Sequence, residues 1–123
     1  MENGKKLIIL VDDNPANLRI GKNVLSDKYT VATAPSAAKM FSLLENNHPI
    51  IILLDIDMPE MDGFEAMEAL KSSPETRGIP VIFLTGMISS QDMEKGFSLG
   101  AVDYITKPFE PEALIACIEK YGR

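Results

Sequence analysis

The stretch ILLDIDMPEMDGF, residues 52–64, runs from strongly apolar to strongly acidic within a few positions. Its apolar part ends at Asp55, and three further acids follow at positions 57, 60 and 62. The apolar part predicts a buried strand, and MPEMDG has the composition of a turn. Four carboxylates within eight residues repel one another at such a strand end. The stretch therefore indicates that something at this position offsets their charge.

The rest of the chain alternates between two kinds of apolar pattern. Continuous apolar runs predict strands at residues 7–11, 29–34, 50–54, 81–85 and 102–106. Apolar residues at helical spacing predict a helix after each strand, near residues 15–25, 37–44, 64–70, 90–99 and 114–121. Strands that are apolar throughout are typical of a parallel sheet covered by helices on both faces. The sequence thus predicts a single α/β domain over residues 1–123.

Composition argues against several classes of function. The formal net charge of −6 disfavours direct nucleic-acid binding, which needs a basic surface. The longest apolar run, residues 49–54, is too short to span a bilayer, and LIILV at 7–11 is too short for a signal peptide. The single cysteine, Cys117, cannot form an internal disulfide or a paired-cysteine metal site. We therefore expect a cytoplasmic protein that contacts neither nucleic acid nor membrane.

Polar side chains end four of the predicted strands. They are Asp12 and Asp13 after the first strand, Asp55 after the third, Thr85 after the fourth and Lys107 after the fifth. In open parallel sheets, ligands bind outside the carboxyl ends of the strands. Converging carboxylates without a histidine or cysteine cluster suit Mg²⁺, which proteins often bind through one or two carboxylates together with phosphate oxygens. The pattern predicts a Mg²⁺ site that handles phosphate.

Each of these residues also has a plainer interpretation by itself. Asp12 and Asp13 could be turn and capping residues, and Asp55 could be a solvated strand end. Thr85 could be an ordinary strand residue, and Lys107 a surface lysine before a proline. The combination of acid, acid, hydroxyl and ammonium at four strand ends favours the functional interpretation. The Lys107–Pro108 bond beside this site is also a plausible cis peptide bond.

Four motifs together resemble the receiver domain of two-component response regulators. In chain order they are LIILVDDNPAN, ILLDIDMPEMDGF, VIFLTG and GAVDYITKPF, and the resemblance covers essentially the whole chain. It implies a flavodoxin-like, doubly wound (βα)5 sandwich whose parallel strands lie in the order 2-1-3-4-5. It also implies two kinds of partner. One is a histidine kinase or histidine phosphotransfer protein as donor, and the other is a downstream effector domain or protein.

The resemblance assigns roles to the residues at the predicted site. Asp55 matches the phosphoacceptor. Asp13 and Asp55 would bind Mg²⁺ directly together with the backbone carbonyl of Asp57, and Asp12 would act through a bound water. Lys107 would pair with the phosphoryl group and with Asp55. The implied chemistry is formation of an acyl phosphate by a carboxylate nucleophile, followed by slow hydrolysis, so we do not expect an enzyme in the usual sense.

Two residues match the switch that follows phosphorylation in this family. Thr85 would take a phosphoryl oxygen, and Tyr104 would then turn inward. Asp57 departs from the commoner pattern, because many members have a neutral or apolar residue two positions after the acceptor. With Met87, two positions after Thr85, it lies where the family tunes the lifetime of the phosphoryl group. An acid at position 57 is therefore expected to alter that lifetime, unless its side chain turns to solvent.

Other positions bear on assembly and on alternative roles. Val102, Ala113 and Cys117 lack the charges that support a salt-bridged dimer in receivers attached to DNA-binding domains, which favours a monomer or weak dimer. Cys117 lies on an apolar stripe and is expected in the core. His48 is expected to cap the second helix rather than act as a relay histidine.

Two alternative functions remain to be weighed. DID at residues 55–57 also begins the motif of haloacid-dehalogenase-like phosphatases, but Pro59 stands where a threonine or valine usually follows. The chain also has no room for a cap domain. A receiver-like interaction module that is not phosphorylated typically lacks one of the acids, the threonine or the lysine, all of which are present here. The phosphoacceptor receiver is the favoured interpretation.

Overall fold

The computed structural model describes residues 5–86 and 89–122, and within them strands and helices alternate. The elements are β1 (Leu7–Val11), α1 (Pro15–Leu25), β2 (Thr30–Ala34), α2 (Ala37–Leu44), β3 (Ile51–Asp55), α3 (Gly63–Lys71), β4 (Val81–Thr85), α4 (Ser90–Ser98), β5 (Asp103–Thr106) and α5 (Pro111–Tyr121). No helix in this described part of the chain is long and apolar enough to cross a bilayer.

All strands of the sheet are parallel, in the order β2-β1-β3-β4-β5. The predicted fold and strand order are confirmed. β2, β3 and β5 each begin one residue later than predicted. β3 also extends to include Asp55, which pairs with Leu84 of β4. Strand order reverses at β1, which lies between β2 and β3, and this reversal opens a crevice at the carboxyl ends of β1 and β3.

The core consists of two apolar clusters, one on each face of the sheet. Phe83 and Met67 belong to the cluster beneath α2 and α3, whereas Leu10 and Leu114 belong to the one beneath α1 and α5. Adjacent strand residues point to opposite faces, so each central strand contributes to both clusters. This explains why β3 and β4 are buried at every position, as their unbroken apolar runs predict.

Side-chain caps fix where α1 and α4 begin. Asn14 accepts a hydrogen bond from the Ala16 amide at the start of α1, and Ser89 caps α4 in the same manner. α2 ends at Leu44, earlier than a capping role for His48 requires, and His48 is exposed beyond it. Asn47 instead donates its side-chain amide to the Leu43 carbonyl at 2.8 Å. The prediction for His48 was therefore wrong.

Candidate functional site

Strand register brings the acidic residues together at the carboxyl ends of β1 and β3. Val11 lies opposite Leu54, so the next residues on the two strands, Asp12 and Asp55, are neighbours. Asp12 is fully buried and Asp55 is 1% exposed, whereas Asp13 is exposed. Carboxylate oxygens of these three residues all lie within 4.8 Å of one another. Oxygen ligands at this spacing fit a hard divalent cation such as Mg²⁺.

Asp12 is held on both of its oxygens. Its Oδ1 accepts the Asn14 amide at 2.9 Å, and its Oδ2 accepts the Asn17 side-chain amide at 3.2 Å. Oδ2 also accepts Lys107 Nζ at 3.1 Å. Asn17 was not predicted as part of the site. The available signal was a polar side chain on the first turn of α1, close in sequence to the acid pair.

Lys107 bridges the two buried carboxylates. Its Nζ lies 3.1 Å from Asp12 Oδ2 and 3.2 Å from Asp55 Oδ1, while its backbone amide donates to the Thr85 carbonyl at 2.8 Å. The Lys107–Pro108 peptide bond is cis. Burial alone would lower the pKa of Lys107, but the hydrogen bonds and charges of Asp12 and Asp55 outweigh it and the pKa is raised. The ammonium group therefore remains charged between the two acids.

One lysine does not neutralise this cluster. Burial, followed by the charge of Asp12, raises the pKa of Asp55 from 3.8 to about 6, although Lys107 acts in the opposite direction. The site thus holds carboxylates whose charges are only partly compensated by the protein. A bound cation would complete that compensation, which is the observation that favours a metal site.

The loop after β3 is fixed against the start of α3. The Asp57 amide donates to Asp55 Oδ1 at 3.3 Å, and the Asp57 side chain is exposed. The Gly63 amide donates to the Ile56 carbonyl at 2.8 Å. A Cβ atom on Gly63 would lie 2.5 Å from the Asp55 carbonyl oxygen, so only glycine lets α3 approach this closely. Asp62 and Glu65 form a capping box that anchors the same helix.

Thr85 and Tyr104 lie along the neighbouring strands. Thr85 is 2% exposed and ends β4, next to the end of β3. Tyr104 lies opposite Phe83 on β5, and its hydroxyl donates to the Asp92 carbonyl of α4 at 2.5 Å. Met87, whose position was predicted to tune the phosphoryl lifetime, lies outside the described residues. The structure thus gathers Asp12, Asp13, Asp55 and Lys107 and directs the hydroxyl of Tyr104 to α4.

Comparison with known proteins identifies the family. The family described as "Response regulator receiver domain" matches residues 8–119. This chain belongs to that family. The receiver is 38% identical over 117 residues to the response regulator PleD of Caulobacter vibrioides, covering 94% of this chain and 26% of PleD. This chain thus spans about a quarter of the length of that relative.

Two solved structures show the same fold. The receiver aligns with the chemotaxis protein CheY4 of Vibrio cholerae at a TM-score of 0.91 and 26% identity, covering 96% of this chain and 99% of that one. It aligns with the receiver domain of the sensor histidine kinase PA1611 of Pseudomonas aeruginosa PAO1 at a TM-score of 0.87 and 27% identity, covering 96% and 98%. That neighbour was solved with a magnesium ion coordinated in its active-site cleft.

Proposed function

We propose that this chain is a single phosphoacceptor receiver domain over residues 1–123, which accepts a phosphoryl group on Asp55 with Mg²⁺ and changes conformation to regulate an effector. The observation that carries the proposal is the cluster of Asp12, Asp13 and Asp55 beside the Lys107 ammonium group at the carboxyl edge of the sheet. An enclosed carboxylate beside a cation site and a fixed ammonium group is suited to phosphoryl transfer.

The proposed metal ligands are those that the resemblance to receiver domains implies, and the clustered carboxylates of Asp12, Asp13 and Asp55 support them. Asp13 and Asp55 would bind Mg²⁺ directly with the backbone carbonyl of Asp57, and Asp12 would act through a bound water. When bound, Mg²⁺ offsets negative charge on the phosphoryl oxygens and on the carboxylates. The raised pKa of Asp55 supports this assignment, since burial and the charge of Asp12 make its ionised form less favourable than in water and a bound cation would offset that cost.

The transfer itself is an in-line displacement. A carboxylate oxygen of Asp55 attacks the phosphorus of a phosphohistidine, the P–N bond breaks, and the histidine nitrogen takes the bonding electron pair and a proton. Lys107 remains beside the resulting acyl phosphate and pairs with a phosphoryl oxygen. Thr85 binds another phosphoryl oxygen, and Tyr104 turns inward. This movement transmits the conformational change to the surface. Water later hydrolyses the acyl phosphate and restores Asp55.

The partners follow from this role. The donor is a histidine kinase or a histidine phosphotransfer protein, and the recipient of the signal is an effector domain or protein. The receiver acts as a cytoplasmic signalling module, as a monomer or weak dimer, and has no turnover on other substrates. Response regulators among the relatives support these assignments.

Intact-mass measurement after incubation with Mg²⁺ and acetyl phosphate tests the proposal. We expect one added phosphoryl group that requires Mg²⁺ and is absent from Asp55→Asn. Glu60→Gln is the matched control, because Glu60 is an exposed acid in the same loop, and this variant should be modified normally. Because a small-molecule donor can be too slow, the same measurement is repeated with a phosphorylated histidine phosphotransfer domain. No adduct from either donor would overturn the proposal in favour of an interaction module that is not phosphorylated.

A further inference from the structure

Gly96 makes an unusual contact at the centre of α4. It is the buried residue of this helix, whereas glycine inside a helix costs about 1 kcal/mol relative to alanine. A Cβ atom at this position would lie 2.8 Å from Cζ of Tyr104 and closer still to its hydroxyl oxygen. It would also lie 3.0 Å from Phe83 Cε2. The missing side chain therefore creates the space that the tyrosine occupies.

Tyr104 is held in that space by several contacts. Its hydroxyl donates to the Asp92 carbonyl at 2.5 Å, one helical turn before Gly96. Its ring packs against Phe83 and Phe97, with centroid distances of 5.5 and 5.2 Å. Burial raises the pKa of the Tyr104 hydroxyl above its usual value of 10.0, which further favours the protonated, donating form. We call this arrangement of Tyr104 on Gly96, Asp92 and Phe97 the tyrosine seat.

We propose that Gly96 is a positioning residue that sets how readily the receiver switches. This inference rests on the proposed function, in which Tyr104 turns inward after phosphorylation. Tyr104 must leave the tyrosine seat to do so, because its hydroxyl is bonded to α4 while it is seated. Gly96 stabilises the resting arrangement by allowing the seat to form. A side chain at position 96 blocks the seat and shifts the population toward the activated arrangement.

This shift has a measurable consequence for the phosphoryl site. A ligand that binds the activated arrangement binds more tightly when the resting arrangement is destabilised. Beryllofluoride is a suitable probe, since with Mg²⁺ it forms a tetrahedral analogue of a phosphoryl group on a carboxylate. Gly96→Ala should tighten Mg²⁺-dependent beryllofluoride binding by about tenfold, within the range typical of coupled sites. None of the described hydrogen bonds of Asp12, Asp55 and Lys107 involves Gly96, so a direct effect on the ligands is not the expected cause.

The experiment is a double-mutant cycle read by calorimetric titration of beryllofluoride in Mg²⁺. The effect of Gly96→Ala is measured first in the protein that retains Tyr104 and then in the Tyr104→Ala variant, where no tyrosine occupies the seat. We expect tighter binding in the first background and no effect of Gly96→Ala in the second. Ser98→Ala, on the exposed side of α4, controls for helix propensity and should leave the affinity unchanged. Thermal melts establish that each variant is folded.

Each outcome bears on the proposal separately. Folded Gly96→Ala with unchanged or weaker binding would overturn the inference and leave the proposed function standing. An equal effect in both backgrounds would also overturn it, because Tyr104 would then not carry the effect. If Gly96→Ala does not fold, Tyr104→Phe replaces it: removing the hydroxyl weakens the seat, and unchanged or weaker binding would again contradict the inference. A wild-type protein that binds no beryllofluoride and forms no phosphoryl adduct would overturn both proposals.

Discussion

Two regions of this receiver are packed very differently. One is the carboxyl ends of β1 and β3, here called the β1–β3 edge, and the other is the surface formed by α4 and β5, here called the α4–β5 edge. β3 and β4 are buried at every position, and Asp12 and Asp55 are buried with them. β5 is only partly buried, and Phe97 of α4 is 45% exposed. Charges that act together need fixed distances, whereas a segment that changes conformation needs few buried contacts. Under the proposed function, the phosphoryl chemistry would lie in the tightly packed part of the receiver and the conformational response in the loosely packed part.

The largest difference should appear when each edge loses an apolar side chain. Leu54 is fully buried next to Asp55, so Leu54→Ala should lower the free energy of unfolding by about 3 kcal/mol. Met93 is 37% exposed on α4, and Met93→Ala should change it by no more than about 0.5 kcal/mol. Urea denaturation measures both values. Similar losses from the two substitutions would contradict the contrast in packing.

A buried glycine beside the site, Gly63, sharpens the same contrast. A Cβ on Gly63 would meet the Asp55 carbonyl and lie 2.8 Å from Ile56 Cα, and neither backbone atom can move without displacing the site. Gly63→Ala should therefore cost about 2 kcal/mol and weaken Mg²⁺ binding. Gly78→Ala is the control, because a Cβ there has no neighbour within 4 Å. A loss no larger than that of Gly78→Ala, with unchanged Mg²⁺ titration, would show that the loop after β3 is not rigid.

Charge at the β1–β3 edge should cost stability when no metal is present. The folded state raises the pKa of Asp55 from 3.8 to about 6, so it disfavours the ionised carboxylate. The stabilising effect of the proton is fully present below about pH 4 and is lost as the pH rises through about 6. In EDTA at pH 7.5, the free energy of unfolding of Asp55→Asn should therefore exceed that of wild type by about 3 kcal/mol.

Paired urea denaturation of wild type and Asp55→Asn over a pH series isolates this effect. The advantage of the variant should shrink as the pH falls from 7.5 towards 4. Mg²⁺ at pH 7.5 should close part of the gap by stabilising wild type alone. An advantage that does not depend on pH would mean that packing, not charge, distinguishes the two side chains.

The sequence predicted the parts of the receiver that depend on local pattern and on motif spacing. The apolar runs identified every strand, and the motif resemblance implied the strand order that the sheet adopts. The limits of the strands were less certain, because pairing across the sheet decides them: Asp55 belongs to β3 only because it pairs with Leu84 of β4. His48 was misassigned because the Asn47 side chain satisfies the end of α2.

The unpredicted features of the site depend on contacts between distant elements. Asn17 reaches Asp12 from α1, and Gly96 receives Tyr104 from β5. In the sequence, Asn17 is one polar residue among several, and Gly96 is only a residue of low helix propensity within a predicted helix. The significance of either residue appears only when tertiary packing shows which side chain faces it. The roles assigned to Asp12, Asp13, Asp55, Thr85 and Lys107 stay predictions until phosphorylation is measured.

The smallest expected effect concerns the thiol of Cys117, which lies on α5 and contacts β5. Cys117 Sγ lies 3.5 Å from Asp103 Oδ2 and is partly buried against the α1 and α5 side of the core. Burial, then the charge and hydrogen bond of Asp103, raises the pKa of Cys117 to about 12. Alkylation by iodoacetamide at pH 8 should therefore be slow, since the thiolate reacts. Asp103→Asn should lower this pKa and speed the reaction several-fold, while urea-unfolded protein reacts faster than either.

The same measurement tests how often the β5 edge opens. If the thiol reacts within the folded state, its rate follows its pKa and the Asp103→Asn variant reacts faster. If the edge opens frequently, both proteins react through the open form, where Asp103 no longer contacts Cys117, and the rates become equal. Glu119→Gln, an exposed charge change on the same helix, should leave the rate nearly unchanged in either case. Equal rates would show that α5 and β5 separate frequently, whereas faster reaction of Asp103→Asn would show that Cys117 reacts while its contact with β5 is intact.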